Sequence, residues 1–120
     1  MKPYNVKIGI SEPWDFPWET LAAQIQQRQD EYLLVKLHEP IRYMNADVVQ
    51  LVAQPRHQGK SVDCLAAGEG LHVNITPIAG TSLRSMQECL DFADKWRGWG
   101  LIGCIVIDNS AQHHQLQKVR

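Results

Sequence analysis

Short stretches of this chain alternate apolar and polar residues, and this alternation predicts β-strands. Over residues 4–10 every second side chain is apolar, and the pattern ends before Pro13. A period of two puts those side chains on one face of a sheet. Further apolar segments, the third of which ends at Pro77, predict strands at 32–37, 48–53, 71–75 and 101–107.

Residues 81–97 follow a different period, which predicts an amphipathic helix. Gly98 would end it, because glycine tolerates the left-handed conformation of a helix stop. A helix of this length is marginal alone in water, so we expect its apolar stripe to pack on the sheet, with Leu90 buried. The stripe recurs in steps of three or four residues and comprises Leu83, Met86, Leu90, Ala93 and Trp96.

Residues 17–31 are compatible with two structures. The spacing of Trp18, Leu21 and Ile25 would place these side chains on one face of a helix. The same segment also alternates as a strand would, and its polar residues 26–30 could then turn the chain into the next strand. Intrinsic propensity favours the helix, whereas the short connection into the following strand favours a hairpin. We expect the hairpin.

Together these elements predict one α+β domain over residues 1–108 and a polar, flexible tail over 109–120. The expected architecture is a mainly antiparallel curved sheet or small open β-barrel, with one C-terminal amphipathic helix and a final strand. A chain of 120 residues can bury one core but not two.

Charge and cysteine usage restrict the class of protein. The chain has 12 basic and 13 acidic residues and a formal net charge of −1, which argues against a protein built chiefly to neutralise phosphates. Its three cysteines are widely spaced, and its first residues lead into a strand rather than into an apolar signal region. No apolar run approaches the roughly 20 residues that span a bilayer. We therefore expect a cytoplasmic protein without membrane contact.

The sequence Gly59-Lys60-Ser61 follows an apolar strand and is similar to the end of a phosphate-binding loop. Such a loop begins with a glycine, and this chain has Gln54 at that position. A side chain there would obstruct the turn around the phosphates. We therefore expect an ordinary basic loop and no nucleotide or other cofactor.

Neither the histidines nor the cysteines predict a reactive centre. His38, His57 and His72 are far apart and have no second ligand at the spacing of a preformed metal site. His57, Asp63 and Cys64 are residue types of a nucleophilic site, but the sequence shows no positioned base or oxyanion donors. Free cysteines are often buried, so we expect core positions for them and predict neither a catalytic residue nor a metal site.

Aromatic segments are the strongest candidates for binding. Residues 11–18 hold two tryptophans, one phenylalanine and two prolines. They could plug one end of a barrel, or form a stiff recognition loop whose tryptophans anchor a partner. Trp99, which lies between two glycines, has the same two alternatives. The residues that we expect to bind a partner are Trp14, Asp15, Trp18, Arg56 and Trp99.

An alternative function depends on whether four basic residues share one face. With Tyr43 and Trp14 as stacking surfaces, such a patch would suit single-stranded nucleic acid. Balanced charge and the lack of paired aromatics at alternating strand positions weaken this alternative. The four residues are Arg42, Arg56, Lys60 and Arg84.

With no catalytic constellation in the sequence, we expect a small protein-binding module that acts without chemistry, as an inhibitor or an immunity or antitoxin-type protein that blocks a partner. The single-stranded nucleic-acid-binding barrel is the alternative. Composition and spacing do not identify the partner or the oligomeric state.

Overall fold

The computed structural model describes residues 3–56, 59–79, 85–95 and 100–108. Within these ranges neither helix is long and apolar enough to cross a membrane. The expected tail at 109–120 lies outside the described residues. In chain order the elements are β1 (Tyr4–Glu12), β2 (Thr20–Gln29), β3 (Tyr32–Tyr43), β4 (Ala46–Pro55), α1 (Asp63–Ala66), β5 (Leu71–Ala79), α2 (Met86–Lys95) and β6 (Leu101–Ile107).

The strands form a closed antiparallel barrel in which each pairs with its neighbours in sequence. Strands β1 and β6 close it, with Val6 opposite Ile107 and Ile8 opposite Ile105. The predicted mainly antiparallel β barrel is present, but it is closed rather than open, and the helix predicted as C-terminal lies within the chain, before β6. Pairing of β1 with β6 removes the two outermost edges that an open sheet would expose to water.

Aliphatic side chains fill the barrel interior. They alternate along the strands, as the period of two requires, except where a bulge intervenes, as between Val48 and Leu51 in β4. Within the described residues, no polar or charged residue belongs to the buried core. Packed barrels of this size hold side chains rather than a ligand. Large side chains at the centre include Ile8, Ile25, Leu33, Leu51, Ile75 and Ile105.

Strand β2 lies within residues 17–31, the segment compatible with either a helix or a hairpin, so the expected hairpin is confirmed. Gln29 lies opposite Tyr32, which leaves a turn of only two residues, Asp30 and Glu31. Asp30 has a φ of 53°, a left-handed conformation that aspartate adopts more readily than most residues. Burial decides against the helix, because the alternating residues Leu21, Ala23 and Ile25 all point into the core.

Strand β5 continues beyond Pro77, which was expected to end it. This proline is buried and lies opposite Leu51 in β4. Proline donates no hydrogen bond and is therefore tolerated in sheets mainly at edges and bulges. The register of β5 against β6 ends at Ile75 opposite Leu101, so among the described residues Pro77 pairs with β4 alone, as a residue of an edge strand does.

Helix α2 packs on the outer wall of the barrel. The Ser85 hydroxyl accepts a hydrogen bond of 3.1 Å from the backbone N–H of Glu88, which satisfies a donor that the first turn leaves free. The buried residues Met86 and Cys89 pack on a second apolar cluster outside the barrel. That cluster consists of Leu34, Val52 and Ile78, one from each of β3, β4 and β5.

Two predictions of burial were wrong, one for Leu90 on this helix and one for two of the cysteines. Leu90 is only partly buried: it packs against the same cluster in which Met86 and Cys89 are buried. Cys64 and Cys104 are partly exposed rather than in the core. Of the expected helix, residues 81–84 and 96–97 lie outside the described ranges.

Candidate functional site

One end of the barrel concentrates aromatic side chains, and we call it the aromatic end. It is formed by the β1–β2 loop at residues 13–19 and by the β3–β4 turn at Met44 and Asn45. Both connections leave the same rim, because β1 and β3 each pair antiparallel with β2. The apolar residues of the aromatic end are Trp14, Phe16, Trp18, Tyr43 and Met44.

The aromatic segment divides into an anchored part and a free part. The ring centroids of Phe16 and Trp18 lie 4.3 Å apart at 60°, and that of Phe16 is 6.0 Å from that of Tyr43. These tilted contacts have the geometry that aromatic pairs prefer, and all three rings pack against the barrel core. Trp14, by contrast, is 91% exposed. Phe16 and Trp18 thus pack on the end of the barrel, as the plug alternative predicts, whereas Trp14 of the same segment is exposed to water.

The turn beside this loop places a second apolar side chain in water. Met44 and Asn45 have φ values of 51° and 65°, and the two-residue turns that suit β-hairpins require positive φ at both positions. Asparagine tolerates this conformation, whereas methionine seldom adopts it. Met44 is also 53% exposed, so neither its backbone conformation nor burial favours a methionine at this position.

Acidic residues surround the apolar ones. Within residues 12–19 and 39–47 the chain has five carboxylates and one guanidinium, Arg42. Arg42 donates a hydrogen bond of 3.0 Å to Asp47 Oδ1, so its charge is already opposed. The remaining four carboxylates, all of them exposed residues, make the rim electronegative: Glu12, Asp15, Glu19 and Glu39.

The opposite end of the barrel is closed by helix α1. Leu65 of this helix and Val62, which immediately precedes it, are buried against the barrel core. Arg28 Nη1 donates a hydrogen bond of 2.7 Å to Asp63 Oδ1, and Arg28 Nε donates one of 2.9 Å to the Asp30 carbonyl oxygen. The Asp63 carboxylate, considered above as part of a nucleophilic site, thus ties the helix to the β2–β3 hairpin.

Titration of Asp63 tests this ion pair. The hydrogen bond and charge of Arg28 lower the pKa of Asp63 below its ordinary value of 3.8. The pair therefore contributes its stabilisation at pH values above that ordinary pKa and loses it as the pH falls through the lowered one. We expect the Arg28→Gln variant to raise the pKa of Asp63 towards its ordinary value, as measured by NMR titration of its side-chain carboxyl carbon. An unchanged pKa in the variant would contradict the pairing.

Cys64 does not have the environment of a nucleophile. Burial raises the pKa of its thiol above the usual 9.0, whereas a reactive cysteine needs a lowered one. Its Sγ lies 3.7 Å from the Gly70 carbonyl oxygen, and Asp63 is engaged by Arg28. His57 lies outside the described residues. Among those that are described, no group of three or more potential ligands could hold a metal ion.

The basic residues proposed to share a face lie at different places. Arg42 flanks the aromatic end, whereas Arg56 and Lys60 follow the far end of β4, about 30 Å away at the usual rise of a strand. Lys60 Nζ is 3.7 Å from Glu69 Oε2, so this lysine faces a carboxylate. Arg84 lies outside the described residues.

The expected binding residues are accordingly only partly brought together. Trp14, Asp15 and Trp18 share the aromatic end, Arg56 lies at the opposite end, and Trp99 falls outside the described residues. Sequence reasoning missed the contribution of Met44 and Glu39, which lie far along the chain from the aromatic segment. A signal for the turn existed in Asn45, a residue typical of two-residue hairpins.

Comparison with protein-family models, curated proteins and solved structures finds no match for this chain. A function has therefore to be inferred from the residues of the aromatic end and their geometry.

Proposed function

We propose that this protein is a small non-catalytic binding module, of the inhibitor or immunity type, that docks its aromatic end on a basic surface of a partner protein. The observation that carries the proposal is the exposed tryptophan on a supported loop. Trp14 is 91% exposed, while Phe16 and Trp18 from the same loop pack against the core.

An exposed tryptophan on a held loop suits a binding anchor. Tryptophan offers a large contact area and loses few rotamers on docking, which is why it is frequent among the residues that dominate interfaces. The flanking Pro13 and Pro17 restrict the backbone, so less conformational entropy is lost when a partner binds. Met44, half-exposed on the neighbouring turn, adds an adaptable apolar surface.

Charge supports a basic protein as the partner. Glu12, Asp15, Glu19 and Glu39 would repel nucleic-acid phosphates from this end of the barrel, whereas they would steer lysine and arginine side chains towards Trp14. A cation over the indole face would gain further from its π electrons. This distribution favours a protein partner over the single-stranded nucleic acid of the alternative function.

Truncation of the anchor gives the main test. We expect Trp14→Ala to weaken partner binding by roughly 2 kcal/mol or more and to leave the melting temperature almost unchanged, because the side chain has little contact with the fold. A protein captured from cell extract is first purified, and its affinity for wild type and variant is then measured by calorimetry. Val106→Ala removes another exposed apolar side chain, on the barrel wall, and serves as the matched control.

Charge reversal distinguishes the two partner classes. Asp15→Lys and Glu19→Lys should slow association with a basic protein and reduce the salt dependence of its rate. The same variants should strengthen any binding of a labelled oligothymidylate measured by fluorescence anisotropy. Equal partner affinity for wild type and Trp14→Ala, or tight oligothymidylate binding by the unmodified protein, would refute the proposed function.

A further inference from the structure

Strands β2 and β3 separate at the aromatic end, and we infer that this opening receives an extended, basic segment of the partner as an additional β-strand. The inference rests on the proposed function and specifies the form in which the partner binds. It follows from the strand register, from a groove beside Trp18 and from the charges that line it.

The register shows where pairing stops. Between β2 and β3 it runs up to Ala23 opposite Leu37 and no further. Thr20, Leu21 and Ala22 therefore pair with β1 alone. On the other strand, a bulge between Lys36 and Ile41 leaves residues 38–40 without a register partner in β4 as well.

These two short edges can offer backbone hydrogen bonds. In an antiparallel strand, successive residues direct their N–H and C=O groups alternately to the two sides. Where three successive residues have a neighbouring strand on one side only, at least one of them directs its N–H and C=O groups to the side without a strand. An extended peptide satisfies such groups by adding to the edge, which is a common mode of peptide recognition.

A groove lies between the separated edges. Its volume is about 440 Å³, within the range of sites that bind small ligands or a few side chains. Trp18, Leu21 and Ala22 provide apolar wall, and Glu39 provides a negative charge. The lining residues are Trp18, Thr20, Leu21, Ala22, His38, Glu39, Pro40 and Ile41.

The lining determines the chemistry of the occupant. Glu39 is in the groove and the exposed Glu19 immediately precedes β2, so a lysine or arginine of the incoming strand would have a carboxylate on either side. Side chains of a strand alternate between its two faces. A segment that alternates basic and β-branched residues would thus place its charges near Glu19 and Glu39 and its apolar residues against Trp18 and Leu21.

Synthetic peptides test this directly. The probe is the capped hexapeptide Val-Lys-Val-Lys-Val-Lys, and its counterpart replaces every lysine with glutamate. NMR titration of the full chain should show saturable amide shifts at residues 20–22 and 38–39 with the basic peptide only. A version with N-methylated valines, which cannot donate from those positions, should bind about tenfold more weakly, as expected for the loss of one or two backbone hydrogen bonds.

Two variants locate the binding. Ala22 is exposed and lines the groove, so Ala22→Tyr should fill it and abolish the shifts. Gln24→Tyr introduces the same ring one position further along the outer face of β2, outside the groove lining, and should leave binding intact. If Ala22→Tyr proves unstable in thermal melts, the N-methylated peptide decides alone, because it acts on the unmodified protein.

The inference fails if the N-methylated peptide binds as well as its parent, if the shifts fall elsewhere, or if no shift occurs. It also fails if sedimentation shows that a second copy of this chain already occupies the edge. A partner whose affinity falls with Trp14→Ala but not with Ala22→Tyr would leave the proposed function standing and remove strand addition. A partner insensitive to Trp14→Ala would remove the proposed function itself.

Discussion

Leu33→Ala should lower the free energy of unfolding by about 2–5 kcal/mol, the range for deleting a buried leucine side chain and leaving a cavity. Leu33 is fully buried in the barrel interior and is surrounded by side chains from other strands. A closed barrel cannot easily collapse around the missing atoms, because each strand is held on both sides. Urea denaturation followed by tryptophan fluorescence measures the change.

Leu90→Ala is the matched control for this prediction. The substitution is the same, but Leu90 is half-buried on the outer wall, so part of its side chain already contacts water. We expect a loss of about 1 kcal/mol, in proportion to the smaller apolar area that the leucine removes from water. If both variants lose the same free energy of unfolding, the barrel interior does not stabilise the fold more than the helix contact does, and the prediction is wrong.

The strands could be predicted from the sequence because each has one face in a dry core. Their alternation is strict where the outer face meets water, as in β1, where Val6 and Ile8 are buried and Lys7 is exposed. It is lost in β3, where Leu33, Leu34 and Val35 are all buried. Leu34 points outwards and is covered by α2, a contact that only the tertiary structure creates.

Closure of the barrel could not be predicted, because it depends on register rather than on the pattern of any one strand. Nothing in residues 101–107 indicates that they pair with β1 as well as with β5. The continuation of β5 through Pro77 has the same origin, since the register against β6 ends at Ile75 and leaves the proline paired on one side only. Local sequence predicts where a strand lies more readily than which strand lies beside it.

The candidate site could be predicted only where it is continuous in sequence. Trp14, Asp15 and Trp18 belong to one segment, and its aromatic content is visible in the sequence. Glu39 and Met44 belong to the β3–β4 hairpin, which brings them to the same end of the barrel. They are too far along the chain from the aromatic segment for composition alone to place them beside it. Arg56 was predicted to bind a partner together with the aromatic segment, but the length of β4 separates it from the aromatic end.

Gly103→Ala should destabilise the fold by about 3 kcal/mol or more, at the upper end of the cost of overpacking a core. A Cβ built on Gly103 would overlap the carbonyl oxygen of Gly9 in β1 and would approach Ile75 Cδ1 to 3.4 Å. The overlapping atom belongs to the backbone, so no side-chain rotation can relieve the clash. Strands β1 and β6 would have to move apart at the seam that closes the barrel.

Gly9→Ala is the control on the other side of this seam. A Cβ on Gly9 would come no closer than 3.8 Å to the Glu19 carbonyl oxygen, an ordinary contact. We expect this variant to be as stable as wild type or more stable by up to about 1 kcal/mol, because alanine restricts the unfolded chain. Urea midpoints of both variants provide the comparison. If the two glycines tolerate alanine equally, the seam does not require the close approach of β1 and β6, and closure must depend on the surrounding aliphatic packing alone.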